Sequence, residues 1–264
     1  MAQLLSAFPF TGTIDNLSFY KMRGSDKIVI RKKGGPRREQ VKSSPSFDIP
    51  RRNNAEFGGR SQGGKWVISM LWPQKALADY NIIGPLNSLI KPIQELDKES
   101  EFGQRNICFT KNPGLLQGFS LNKRNPFDSI TRNPVSWSVS RDSLSASLEI
   151  PAMLPGINFY VPGKYPMYRF VAALGIVPDL FYTSNGYKPA GDYHELRPDI
   201  QTTSWYPVMN GSPATILEMK MTQAPPDTSF SLLLSVGISF GTMGEAGTVN
   251  QLKHTGAAKI LAMG

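Results

Sequence analysis

The sequence predicts a mainly β protein: an N-terminal β-hairpin with a basic arm, a short helical segment and a C-terminal antiparallel β-sandwich. Three observations carry that prediction. Apolar and polar residues alternate across residues 135–150, and further apolar runs follow between Gly and Pro residues. Apolar residues recur every three or four positions from Leu86 to Leu96, as one helix face requires. The charge is confined to one segment. The 264-residue chain carries 29 Lys+Arg and 20 Asp+Glu, a net +9. From Lys21 to Lys65 thirteen basic residues stand against four acidic ones, which is the whole +9, and the rest of the chain holds sixteen of each sign.

Residues 12–33 read as a hairpin. Ile14, Leu17, Phe19, Ile28, Val29 and Ile30 are β-formers, and Arg23-Gly24-Ser25-Asp26 supplies the turn. A lone two-stranded hairpin is marginal in water, so this one needs a surface to pack on. Residues 34–64 are polar and punctuated by Gly34-Gly35-Pro36, Ser43-Ser44-Pro45, Gly58-Gly59 and Gly63-Gly64. They read as an extended arm with a helical turn after Pro50. The first expected segment is therefore 1–64.

Residues 65–112 form the helical segment. Trp66, Ile68, Met70 and Leu71 start an apolar stretch that Pro73 interrupts and Gly84-Pro85 breaks. Pro92 should kink or break the helix that follows. Residues 113–264 read as the sandwich. Val135, Trp137 and Val139 alternate with serines, as do Leu144, Ala146, Leu148 and Ile150 after a turn at Ser140–Ser143. Strands are further expected at 168–177, 203–208, 214–222, 230–240 and 257–263. In the stretch 214–222, Thr215, Leu217, Met219 and Met221 point one way, with Glu218 and Lys220 the other.

Several tempting motifs lack the context their chemistry needs. Gly59–Lys65 fits most of a phosphate-binding loop, but Trp66 stands where the Mg²⁺-binding hydroxyl belongs. The same stretch holds Gly59-Arg60-Ser61-Gln62-Gly63, a nucleophile-elbow pattern without the strand before Ser61. His194 and His254 are the two histidines; neither has further ligands at metal spacing. Cys108 stands alone between Ile107 and Phe109 and reads as a small buried hydrophobe. The acidic run Glu95, Asp97, Glu99, Glu101 reads as solvated surface. Trp137, Trp205, Tyr206 and Tyr193 would suit a sugar-stacking platform, although alternation places Trp137 in the core. No catalytic residue, metal or cofactor is expected.

Some runs resemble a known family. They are Gly12-Thr13-Ile14 with Asn16-Leu17-Ser18-Phe19-Tyr20-Lys21, then Arg31-Lys32-Lys33-Gly34-Gly35. Arg52-Asn53-Asn54-Ala55-Glu56-Phe57-Gly58 follows, with Ser61 and Gly64-Lys65. Gln104-Arg105-Asn106 and the ending Gly256–Leu261 belong with them. Together these are similar to a family of small, uncharacterised Bacteroidota proteins. The resemblance implies a cytoplasmic protein and brings no catalytic residue with it.

The expected function is that of a non-enzymatic structural protein that self-assembles as the subunit of a filament, tube or shell. Copies of the chain would meet through the hairpin, the arm and the β-domain. The assembly or anion-binding residues are Lys21, Arg23, Arg31, Lys32, Lys33, Arg37, Arg38, Arg51, Arg52, Arg60 and Lys65. Phe19, Tyr20, Phe47 and Phe57 would anchor the arm. The alternative is a packaging or nucleoid-type protein whose arm neutralises nucleic-acid phosphates or another anionic surface. No apolar run is long enough to span a bilayer. The start MAQLLSAFPFTGT lacks the basic and apolar regions of a signal peptide, so the cytoplasm is the expected compartment.

Overall fold

In a computed structural model the structure describes residues 2–4, 11–22, 27–32 and 34–264. The expected turn at 23–26 and the basic residues Arg23 and Lys33 lie outside the described residues. The chain divides into two compact units, residues 1–51 and 52–264. It is mainly β, with an N-terminal hairpin, a helical segment and a large C-terminal antiparallel sheet.

The first unit is a small antiparallel sheet followed by short helical pieces. Its strands are β1 (Ala2–Leu4), β2 (Gly12–Ile14), β3 (Leu17–Lys21) and β4 (Ile28–Lys32), in the order β1-β4-β3-β2. Phe19 pairs with Ile30 and Tyr20 with Val29 across β3 and β4. Helix α1 (Arg38–Ser43) starts where Gln40 Oε1 accepts the Arg37 N–H at 3.0 Å. Helix α2 (Asp48–Met70) begins just before the end of this unit, with Pro50 in its first turn, where no backbone donor is needed.

Residues 48–64, expected as an extended arm, are therefore helical, and the expected boundaries at 64 and 112 do not coincide with the division at Arg51. Three of the glycines that read as breakers, Gly59, Gly63 and Gly64, are packing glycines. A Cβ at Gly59 would lie 2.8 Å from the Tyr187 ring, one at Gly63 3.3 Å from Phe109, and one at Gly64 2.5 Å from Asn87 Oδ1. They recur at helical spacing and admit neighbours onto the helix backbone.

In the second unit, α3 (Ile83–Glu95) runs through Pro92 instead of breaking there, and buries Leu86, Ile90 and Ile93. The turn α4 (Phe127–Ile130) precedes the hairpin β5 (Ser136–Ser140) and β6 (Ser145–Ile150). Then come β7 (Met167–Pro178), β8 (Phe181–Thr183), β9 (Gly186–Lys188), β10 (Asp199–Thr202), β11 (Tyr206–Pro207) and β12 (Thr215–Lys220). The chain ends with β13 (Phe230–Met243), β14 (Val249–Gln251) and β15 (Ala257–Met263).

β7 and β13 pair along their length and form the centre of a six-stranded sheet. β10 and β11 lie along β7, and β14 and β15 along β13. A three-stranded sheet, β12-β6-β5, covers one face. There Phe170, Leu174, Leu232, Val236 and Phe240 meet Leu148, Ile150, Leu217 and Met219 in one core. The other face of β7 and β13 carries small side chains: Ala173, Gly175, Ser235, Gly237 and Ser239. The helical segment packs close over it, and a Cβ at Gly175 would sit 2.6 Å from Met70 Sδ. Val67, Leu71, Leu77 and Ile90 join Leu233 and Ile260 in the second core. The helical segment is thus a layer of the body that the sheet needs, because β13 is buried on both faces over most of its length.

Candidate functional site

The eleven candidate basic residues divide between the two units. In the first, Lys21, Arg31 and Lys32 lie exposed on β3 and β4, and Arg37 and Arg38 are exposed at the start of α1. Arg31 lies over the Tyr20 ring, 5.6 Å from its centroid. Arg51 is held within its unit: its guanidinium donates to Val41 O and Ser44 O at 2.9 Å each and reaches Asp48 at 3.5 Å. Ten basic and four acidic residues give this unit a net +6. Of the proposed anchors, Phe19 is buried, and Tyr20 and Phe47 are half-buried.

Arg52, Arg60 and Lys65 belong to the second unit. Arg52 donates to Phe102 O at 3.3 Å. Arg60 lies 5.8 Å from the ring of Phe57, which is 56% exposed on α2. Lys65 is exposed at the rim of a cleft along the same helix.

That cleft is a broad concave feature of the second unit. It consists of two adjoining hollows of about 810 and 570 Å³ that share Gln62, Trp66 and His194. Trp66 forms the divide, with the His194 ring 5.3 Å away and Tyr193 edge-on at 6.3 Å. Tyr182, Tyr187 and Trp72 add aromatic surface, and Lys65, Lys188 and Arg197 outnumber Asp192 at the rim. Flat rings and cations of this kind stack on and attract planar or anionic groups. Little in the sequence announces it, because its parts come mainly from α2, whose first half read as an arm, and from residues 182–197, far along the chain.

A buried ion pair holds α2 in place beside the cleft. Glu56 accepts from Arg105 through both carboxylate oxygens at 2.6 Å and from the Gly103 N–H at 2.9 Å. Burial pushes its carboxyl up, but the Arg105 hydrogen bonds, the Gly103 N–H and the charges of Arg105 and Arg60 outweigh it and hold the group below the usual range.

The tempting motifs resolve simply. Gly59–Lys65 is helical, so it forms neither a phosphate loop nor a nucleophile elbow. His254, at φ +60°, donates from Nδ1 to Ala78 O at 2.7 Å. Cys108 is half-buried, and burial raises its thiol pKa. Among the described residues no three potential ligands come together to hold a metal. The four stacking candidates do not share a surface. Tyr193 is buried, Tyr206 packs on Tyr168 at 5.8 Å, and Trp205 lies under Arg169 at 4.6 Å. Trp137, expected in the core, overhangs a sheet edge and is 41% exposed. No helix among the described residues is long and apolar enough to cross a membrane. Compared with known protein families, curated sequences and solved structures, the chain matches none of them.

Proposed function

We propose that the protein is a non-enzymatic structural subunit that assembles with copies of itself, with its N-terminal unit as the docking element. The observation that supports this reading is the poverty of that unit's own core. Among its described residues only Phe19, Ile28 and Val29 are buried. Burying such a side chain contributes about 2 kcal/mol, whereas ordering each residue's backbone costs about 1–2 kcal/mol. Three side chains offset the ordering of only a few residues, so the unit gains from a further surface. β2 and β3 offer one: Ile14 and Leu17 are exposed, and both stand in cross-strand register on the side of the sheet that carries Phe19 and Ile30.

The test is the solution mass of the chain and of a Leu17→Glu variant, measured by light scattering across a range of concentrations. The wild type associates, and the variant, which changes an exposed side chain, associates at least tenfold more weakly. Equal association of the two would overturn the role of this face.

A second reading, nucleic-acid binding, is favoured by the net +6 of this unit and by Arg31 over Tyr20. It requires retention of a single-stranded oligonucleotide at about 50 mM salt that weakens steeply by about 200 mM. The absence of retention at the lower salt removes it.

A further inference from the structure

We propose that the open edge of β5 is a self-pairing interface, at which two copies join their three-stranded sheets across a two-fold axis. This rests on the self-assembly reading and names a surface for it.

β5 pairs with β6 along one side only. Among the described residues, no backbone hydrogen bond joins the other side of Ser136–Ser140 to any segment. The comparable edge of β15 is covered. There Gly118 N–H donates to Ile260 O at 2.9 Å, Ile260 N–H to Phe119 O at 3.0 Å, and Leu121 N–H to Ala258 O at 2.8 Å. Open edges in chains that stay single are guarded by charge, proline or a bulge. β5 carries none of these: Ser-Trp-Ser-Val-Ser is neutral, and its pairing with β6 is regular.

The side chains make the edge adhesive. Trp137 lies opposite buried Leu148, and Val139 opposite buried Ala146, so both face the core. Trp137 is nonetheless 41% exposed, because the sheet stops beside it. An added strand would cover that ring.

The occupant that fits is the same strand of a second copy. A paired strand must keep apolar residues on the core side, so only even register shifts are allowed. The antiparallel register that engages all five residues sets Ser138 on the axis. It places Trp137 against Val139 of the second copy, and the reverse, while the serines meet on the outer face. The contact is isologous and closes at two copies. The product is a continuous sheet of six strands in the order β12-β6-β5-β5-β6-β12. Docking of the N-terminal unit is a separate contact and would extend such pairs into larger assemblies.

The test uses the full chain with Ser138→Cys in a Cys108→Ser background, under mild oxidation. Ser138 is exposed, so the substitution leaves the core untouched. The account expects most of the protein to run as a disulfide-linked dimer, and Ser147→Cys, one strand further from the axis, to stay single. Ser138→Lys, which sets like charges on the axis, weakens dimerisation at least tenfold. Absence of the Ser138→Cys cross-link overturns the β5 interface. Sizing of the same sample then separates the two ideas: copies that still associate leave self-assembly standing through another surface, and a single chain at every concentration removes both.

Discussion

Asn122 is uncharged and almost wholly buried, yet three main-chain groups depend on it. Its amide donates to Leu77 O at 2.7 Å and Gly256 O at 3.0 Å, and its Oδ1 accepts the Ala258 N–H at 2.9 Å. Asn122→Ala strands all three, at about 1–3 kcal/mol for each buried group left unpaired. A loss of about 3 kcal/mol in urea unfolding is expected, and a loss below about 1 kcal/mol would show that water replaces the side chain. Asp97 makes a pH prediction. Burial raises its carboxyl, but the N–H groups of Asn106, Ser100 and Glu99 and the Ser100 hydroxyl outweigh it and bring it to about 2, from an ordinary 3.8. Glu56 is also lowered. A lowered carboxylate contributes stability above its unfolded pKa and loses it as the pH falls through the folded one. The urea midpoint should therefore hold from about pH 7 to 5 and fall between about pH 4 and 2. Asp97→Asn should make that fall shallower, and an unchanged profile would exclude Asp97 as a contributor.

At the scale of elements, α2 separates two adjacent glycines by what lies over them. A Cβ at Gly58 meets nothing within 4 Å, whereas one at Gly59 meets the Tyr187 ring at 2.8 Å. Gly58→Ala should stabilise the protein by about 0.5–1 kcal/mol through helix propensity alone. Gly59→Ala gains the same propensity but overpacks, and should destabilise by about 1–2 kcal/mol net. Thermal or urea unfolding checks both, and equal effects would contradict the close contact.

The same helix marks the limit of what the sequence discloses. Four glycines in seven residues read as a loop, because propensity is local and the aromatic ring that explains Gly59 lies 128 positions away. The β5–β6 hairpin was legible, since its alternation reports one buried face. So were β7, β12, β13 and β15, while 203–208 proved to hold only the two-residue strand β11. Phe230–Phe240 carried a further signal. Its uncharged run with Ser and Gly at alternate positions reflects a strand buried on both faces, with small residues under the helices. The cleft left no such trace, because its lining residues come mainly from α2 and from residues 182–197, which only the folded chain brings together.

At the scale of the molecule, charge and core are unequally shared. The first 51 residues hold +6 of the net +9, with three described side chains buried, while the second unit holds both large cores. On the proposed reading such a unit is stabilised by further copies of the chain, and an anionic partner would find its charge there. The mass of the full-length chain in solution, followed by light scattering as concentration rises, tests this most directly. The account predicts a mass that climbs above that of one chain, 29.1 kDa, and keeps climbing with concentration. A constant 29.1 kDa at every concentration would contradict it.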